Sequence, residues 1–233
     1  MMTHAQLDTF AKECQKRCLH GALLIHASAN LGTRSAETRL LTADPKVRER
    51  QLGNYVDLEA MEVRVRFQVS GADQQGSSLP KVSKVRDIVI PPDGFIASKF
   101  KLQDALRARC EEALREQAAG TNPRALLFPV LGKGLVWDEG NLRSDVWGPA
   151  AIDLGWRVPA TIDAKGRSRS LLRFTLHSLR DRWATTAINE WEYTEAQVLV
   201  QGSWSNPETV RRFYAGWTDD THSSVRAKFG MSA

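Results

Sequence analysis

The spacing of apolar and polar positions changes several times along the chain. ALLIHASANLG (residues 22–32) is almost wholly apolar and closes on Gly32, which predicts a buried helix, and RSAETRLLTAD (34–44) predicts a short amphipathic one. The period then shifts. YVDLEAMEVRVRFQV (55–69) alternates, most clearly in MEVRVRFQV, as a half-exposed strand pair does. SGADQQGSS (70–78) reads as the hairpin loop after it, and KVRDIVIPP (84–92) as a return strand stopped by prolines. DGFIASKFKLQDALRARCEEALREQAAG (93–120) predicts a charged helix from about Ser98 to Gly120. From residue 141 onward NLRSDVWGPAAIDLGW, LLRFTLHSLRDRWATTAINEW, TEAQVLVQGS and PETVRRFYAGW all read as helices, and RVPATIDAKGRSRS (157–170) reads as a basic loop among them. The expected fold class is therefore mainly α with a small antiparallel β-sheet (α+β) near its beginning.

Composition narrows this only a little. With 233 residues, 42% hydrophobic and 25% charged, the chain is the size of one large domain or two small ones, and no repeat or clear linker divides it. No apolar run approaches the about 18 to 20 residues that span a bilayer, and MMTHAQLDTFAKECQKRC lacks the apolar segment of a signal peptide, so a cytoplasmic protein is expected. The three cysteines, Cys14, Cys18 and Cys110, cannot all pair with one another and have no companion at zinc-finger spacing; reduced structural thiols are expected, with no metal. A net charge of +5 is a modest pull toward polyanions that many ordinary basic proteins share.

Two stretches carry chemistry. In FTLHSLRDRWATTAI (174–188), Leu176, Leu179, Trp183 and Ala187 form an apolar stripe at helical spacing, and His177 and Arg180 stand as i,i+3 neighbours just off it. Both can point at one object, although such a pair on its own equally fits solvated or locally paired side chains. In QGSWSNPETVRRFYAGW (201–217), Ser205 or Asn206 can cap a helix with Pro207 and Glu208 in its first turn, which then runs to Tyr214. Taken alone, Tyr214 is an amphipathic residue at a core edge.

Together these stretches resemble the tyrosine recombinase, or phage integrase, family. HSLRDRWAT is similar to its His-x-x-Arg box, WSNPETVRRFYAGW to the box that ends in the nucleophilic Tyr, and LGTRSAETRLL, with Arg34 and Glu37, to its upstream Gly-Leu-Arg-x-x-Glu stretch. PKVSKVRDIVIPP falls where the family has a β-hairpin bearing a Lys; Lys81 fits the first position of Lys-x-x-Lys-x-Arg, with Lys84 in reserve. The elements occur in the family's order from about residue 20 to 217. The chain departs from the pattern in having Gly-Thr-Arg for Gly-Leu-Arg, a longer stretch between Arg34 and Lys81, and Trp204 where many relatives have His.

The resemblance implies a tyrosine recombinase catalytic domain that breaks and rejoins double-stranded DNA for recombination or integration. Its catalytic set would be Arg34, Lys81, His177, Arg180, Trp204 and Tyr214. The two arginines would clamp the phosphate, Tyr214 would form a covalent 3′-phosphotyrosine, His177 would take a proton or hold a phosphate oxygen, and Lys81 would protonate the leaving 5′-oxygen. Trp204 could donate to a phosphate oxygen or simply pack under the Tyr helix; Glu37 would orient Arg34 or His177, or be an exposed helix residue. Neither cofactor nor metal is implied, and a tetramer on DNA is. The basic loop 157–170 and the pair Arg211 and Arg212 would add phosphate contacts or form a solvated face. Residues 1–233 are expected to be a single catalytic domain with a C-terminal tail about 218–233, in which Val225 and Phe229 could anchor on a neighbouring copy. The family's N-terminal core-binding domain is expected to be absent, as in a fragment or a short variant. The rival expectations are type IB topoisomerase-like strand relaxation, a DNA-binding module without catalysis, and a helical partner-binding domain.

Overall fold

The structure, a computed structural model, describes residues 2–66, 85–162 and 168–215, and only the backbone of 157–171 and 212–215 within them. Helix α1 (His4–Gln15) is opened by a capping box in which Thr3 Oγ1 accepts from Gln6 N–H and the Gln6 side chain accepts from Thr3 N–H. It buries Leu7, Phe10, Ala11 and Cys14, a spacing visible in the sequence but not among the elements expected from it. Helix α2 (Gly21–Leu31) is the centre of the domain: every residue but Ala22 is buried, as an apolar composition on all sides requires. It packs against α1 and, from the other side of the chain, against α8 (Leu176–Asn189).

Short helices α3 (Ser35–Arg39) and α4 (Pro45–Arg50) lead to an antiparallel sheet of β1 (Tyr55–Asp57), β2 (Glu62–Val65) and β3 (Arg86–Val89), in that order. Its register sets Val63 opposite Ile88 and Arg64 opposite Asp87. One face therefore carries Val63, Val65 and Ile88 into the core, while on the other Arg64 pairs with Asp87. The strand pair and the return strand are as the alternation predicted; the loop 70–78, with Lys81 and Lys84 after it, lies outside the described residues.

The charged helix α5 (Leu102–Ala118) begins later than Ser98 and is followed by a two-stranded ribbon, β4 (Pro129–Val130) and β5 (Leu135–Val136). A continuous helical stretch comprises α6 (Glu139–Asn141), a π-helical turn (Leu142–Trp147) and α7 (Gly148–Asp153). Phe10 fills the core beside it, edge-on to Trp147 at 4.5 Å and stacked on Trp156 at 5.2 Å between centroids. Within the stretch 157–170, expected as a loop, the described residues instead form an antiparallel pair, β6 (Arg157–Ile162) with β7 (Ser168–Leu172). Its β-branched Val158, Thr161 and Ile162 favour strand, a signal hidden by the basic and small residues between them. The following helix starts at Leu176 rather than at Leu171, because Leu171 and Leu172 belong to β7.

The chain ends in α9 (Glu195–Gly202) and α10 (Pro207–Ala215). Asn206 caps α10 by accepting from Glu208 N–H at 2.9 Å, and Val210 buries it against Trp183, Ala187 and Val198. Cys14, Cys18 and Cys110 are buried free thiols; burial pushes Cys14 and Cys110 up to about 12, which makes them protonated packing residues. Among the described residues no helix is long and apolar enough to cross a membrane.

Candidate active site

The turn after α2 and the end of α9 meet beneath α8, and arginines from three elements converge there. Gly32 ends α2 in the left-handed conformation at φ 63°, where a Cβ would stand 2.4 Å from the Trp183 ring. Glycine satisfies both demands, and the turn delivers Arg34 to the start of α3. Glu37, one turn on, reaches back to accept from Arg34 N–H at 2.7 Å and from Arg34 Nη1 at 3.0 Å. Its side chain is buried, with the residue 1% exposed, so it is not a solvated helix glutamate.

Arg86, the first residue of β3, approaches the same carboxylate from the sheet. Its Nη1 and Nη2 donate to the two Glu37 oxygens at 3.0 and 2.6 Å, a bidentate pair between buried side chains. Arg180, on the second turn of α8, is 2% exposed and donates to Gly32 O at 3.2 Å and to Gly202 O. At the end of α9 the three successive carbonyls of Gln201, Gly202 and Ser203 accept from Arg86 Nε, Arg180 Nη2 and Arg34 Nη2 respectively. These are the carbonyls that a helix C-terminus leaves without intrahelical donors, and three cations cap them and oppose the negative end of the helix dipole.

Trp204 closes the cluster. Its ring lies 4.3 Å from the Arg180 guanidinium carbon and stacks on Trp183 at 5.9 Å with the planes 23° apart. Gly202 permits the ring to fold back, since a Cβ there would stand 2.1 Å from it. Packing and a position beside the Arg180 guanidinium are thus combined in Trp204. Burial, together with the neighbouring Arg34 guanidinium, pushes Arg180 down to about 9, which leaves it a cation at neutral pH. Burial alone would raise the Glu37 carboxyl, but the hydrogen bonds and charge of Arg86 and Arg34 outweigh it and hold Glu37 below the usual carboxylate range.

A consequence is measurable. A carboxyl lowered on folding contributes stability that is fully present above its unfolded-state pKa and lost as pH falls through the folded one. In urea unfolding, Glu37→Gln is expected to be less stable than wild type at pH 7 and to approach it below about pH 4, the ordinary carboxylate range. An unchanged gap across that span would show that Glu37 does not titrate with folding.

The structure brings Arg34, Arg180 and Trp204 together with Glu37. It does not place His177 among them: the side chain is 67% exposed, with Nε2 3.6 Å from Asp181 Oδ1 one turn on, while Arg180 points inward. Tyr214 lies in the last turn of α10, four residues after the buried Val210 and so on the same side of the helix backbone; its side chain and all of Lys81 lie outside the described residues. Arg211 pairs with Glu208 and Glu195 on an exposed face, and the Arg212 side chain is outside the described residues. Arg86 is the member that sequence reasoning passed over, although it ends the Lys-x-x-Lys-x-Arg run from which Lys81 was chosen.

Only one group of described residues could hold a metal ion by ligand spacing, His20 with Glu112 and Glu116, whose donor atoms lie within 4.8 Å of one another. Arg109 already occupies both carboxylates, at 2.9 and 2.7 Å, and Asn122 bonds Glu116 at 2.8 Å. The group is an ion-pair cluster that closes the turn after α5, and it shares no residue with the arginine cluster.

No family model and no curated protein matches the sequence. Solved structures do. The Tn1549 transposon integrase in complex with transposon right end DNA superimposes with TM-score 0.63 and 18% identity over 98% of this chain and 65% of that one. The same integrase with a circular intermediate DNA gives 0.59 and 16% over 91% and 60%. The XerA recombinase gives 0.54 and 12% over 94% and 64%. This chain thus spans 60–65% of the length of these structures. At such identities the likeness is one of fold, and the fold of this chain is the one that the resemblance implied, that of the tyrosine recombinase catalytic domain.

Proposed function

We propose that the chain is a tyrosine-type site-specific recombinase catalytic domain that cleaves and rejoins double-stranded DNA. The observation that carries the proposal is the convergence of Arg34 and Arg180 on one end of α9, directly before the capped helix on which Tyr214 stands. Attack on a phosphodiester builds negative charge on its non-bridging oxygens, and two preorganised guanidiniums are suited to neutralise it. The solved structures of similar fold include complexes of an integrase with DNA.

In this reading the phenolic oxygen of Tyr214 forms a bond to phosphorus, the bond from phosphorus to the 5′-oxygen breaks, and the product is a 3′-phosphotyrosine with a free 5′-hydroxyl. The phenol's proton leaves to His177 or to solvent, and Lys81, or Lys84, gives the 5′-oxygen its proton. Because one phosphodiester is exchanged for another, the bond energy is kept for religation by the reverse path. His177, exposed on the first turn of α8, is open to an arriving strand. Trp204, a donor only, would brace Arg180 and offer its N–H to a phosphate oxygen. Cytoplasmic location and assembly into a tetramer on DNA belong to the same reading, as does the treatment of residues 1–233 as one catalytic domain with a tail from about 218.

The test is a duplex nicked so that the 5′-hydroxyl fragment diffuses away, incubated with the protein without added metal and resolved on a denaturing protein gel. A protein–DNA adduct is expected. Intact DNA binding with no adduct over a panel of candidate attachment sequences would replace the enzyme with a DNA-binding module. Relaxation of supercoiled plasmid without exchange between two sites would favour the topoisomerase activity instead.

A further inference from the structure

Strand cleavage as proposed leaves Arg86 without a task, yet no arginine of the cluster is more fully engaged. Glu37 accepts four hydrogen bonds: two from Arg34, through its backbone N–H and Nη1, and two from the Arg86 guanidinium. A carboxylate has about four lone-pair sites. Arg86 takes one on each oxygen, which limits the Arg34 side chain to a single bond there. The two arginines differ accordingly in exposure, 5% for the Arg86 side chain and 34% for that of Arg34. Arg86 is the buried counter-ion, and Arg34 is left with its outer nitrogen on Ser203 O at 3.4 Å, a long bond that a phosphate oxygen can replace.

The charge count leads to the same place. Arg34, Arg86 and Arg180 against Glu37 leave a net of two positive charges, as many as the phosphorane-like transition state carries negative ones. Without Arg86 the net is one, and the buried Glu37 competes with the phosphate for Arg34. Arg86 Nε also holds Gln201 O at 2.9 Å, tying β3 to the end of α9. We infer that Arg86 is a positioning residue of the cleavage site, which occupies Glu37 so that Arg34 stays available to the scissile phosphate. This role rests on the strand-cleavage function proposed above.

The experiment measures single-turnover cleavage of the nicked duplex, with DNA affinity and thermal unfolding in parallel, for wild type, Arg86→Lys, Arg86→Met, Glu37→Gln and the double variant Arg86→Met/Glu37→Gln. Arg86→Met is expected to slow cleavage about 30- to 100-fold while affinity moves less than about threefold, as when a transition-state donor is withdrawn. Arg86→Lys should restore only part of the rate, because an ammonium cannot bond both carboxylate oxygens in the fork geometry. The double variant should cleave about tenfold faster than Arg86→Met, since removing the carboxylate releases Arg34; a purely structural arginine would give a double variant no faster than the single. Should Arg86→Met fail to fold, Arg86→Lys and Arg86→Lys/Glu37→Gln supply the same comparison. An active wild type with Arg86→Met within about threefold of it, or with no recovery in the double variant, overturns this role alone. No adduct from wild type overturns the strand-cleavage function and this role together.

Discussion

Tyr214→Phe is expected to remove the covalent DNA adduct entirely while the protein binds DNA and unfolds as wild type does. The substitution deletes one oxygen and keeps the ring, so volume is nearly conserved and a change in packing of less than about 1.5 kcal/mol is expected. The helix that carries the residue is held by features the substitution does not touch: the Asn206 cap, Pro207 in the first turn, and Val210 buried against α8 and α9. What is lost is the hydroxyl proposed as the nucleophile, and its chain neighbours Phe213 and Ala215 have none to replace it. On a denaturing gel the adduct should fall below detection, a loss of at least about 1,000-fold, whereas a gel shift should show the same DNA affinity. An adduct that persists in Tyr214→Phe would move the nucleophile elsewhere. Loss of both adduct and binding, with unfolding at lower temperature, would return Tyr214 to the core-edge residue it resembles in isolation.

The physical reasons why parts of this site were legible in the sequence, and others not, are local range and chemical type. Helices α2, α8 and α10 announce themselves by apolar periodicity, a terminal glycine or a capped first turn, all written within a few residues. Arg34 and Glu37 are three apart, as are His177 and Arg180, so the spacing that puts each pair on one helix could be read directly. The direction in which each side chain then turns could not. Arg180 turns toward the carbonyls of Gly32 and Gly202, which lie 148 and 22 residues away, and His177 turns out to Asp181. Arg86 shows the limit most plainly. Its partner Glu37, on α3, is 49 residues distant, and only the tertiary fold that sets the start of β3 beside α3 makes them neighbours. The strand pair β6–β7 was obscured for another reason: a short ribbon with arginines and serines along it lacks the alternating apolar face that marks β2.

Arg180→Ala should cost most among the substitutions that leave Tyr214 in place, and two separable losses are expected. The first is structural. Truncation withdraws donors from the Gly32 and Gly202 carbonyls, and a buried polar group left without a partner costs about 1–3 kcal/mol. It also removes the cation over the Trp204 ring, so the α9–α10 junction loses a contact on each side. Against this, the buried Arg180 Nε has no hydrogen-bond partner among the described residues, and removing it relieves that burden. A net destabilisation of about 1–3 kcal/mol by urea unfolding follows. The second loss follows from the proposed function, in which Arg180 is one of two guanidiniums on the transition-state phosphate; removing a preorganised donor of this kind costs about 100- to 1,000-fold in rate. Arg180→Lys separates the two. The ammonium keeps the charge but cannot reach both carbonyls with a planar fork, so stability should recover partly and cleavage little. If the cleavage rates of the two variants instead follow their stabilities in proportion, Arg180 holds the end of α9 in place and the phosphate is met by Arg34 alone.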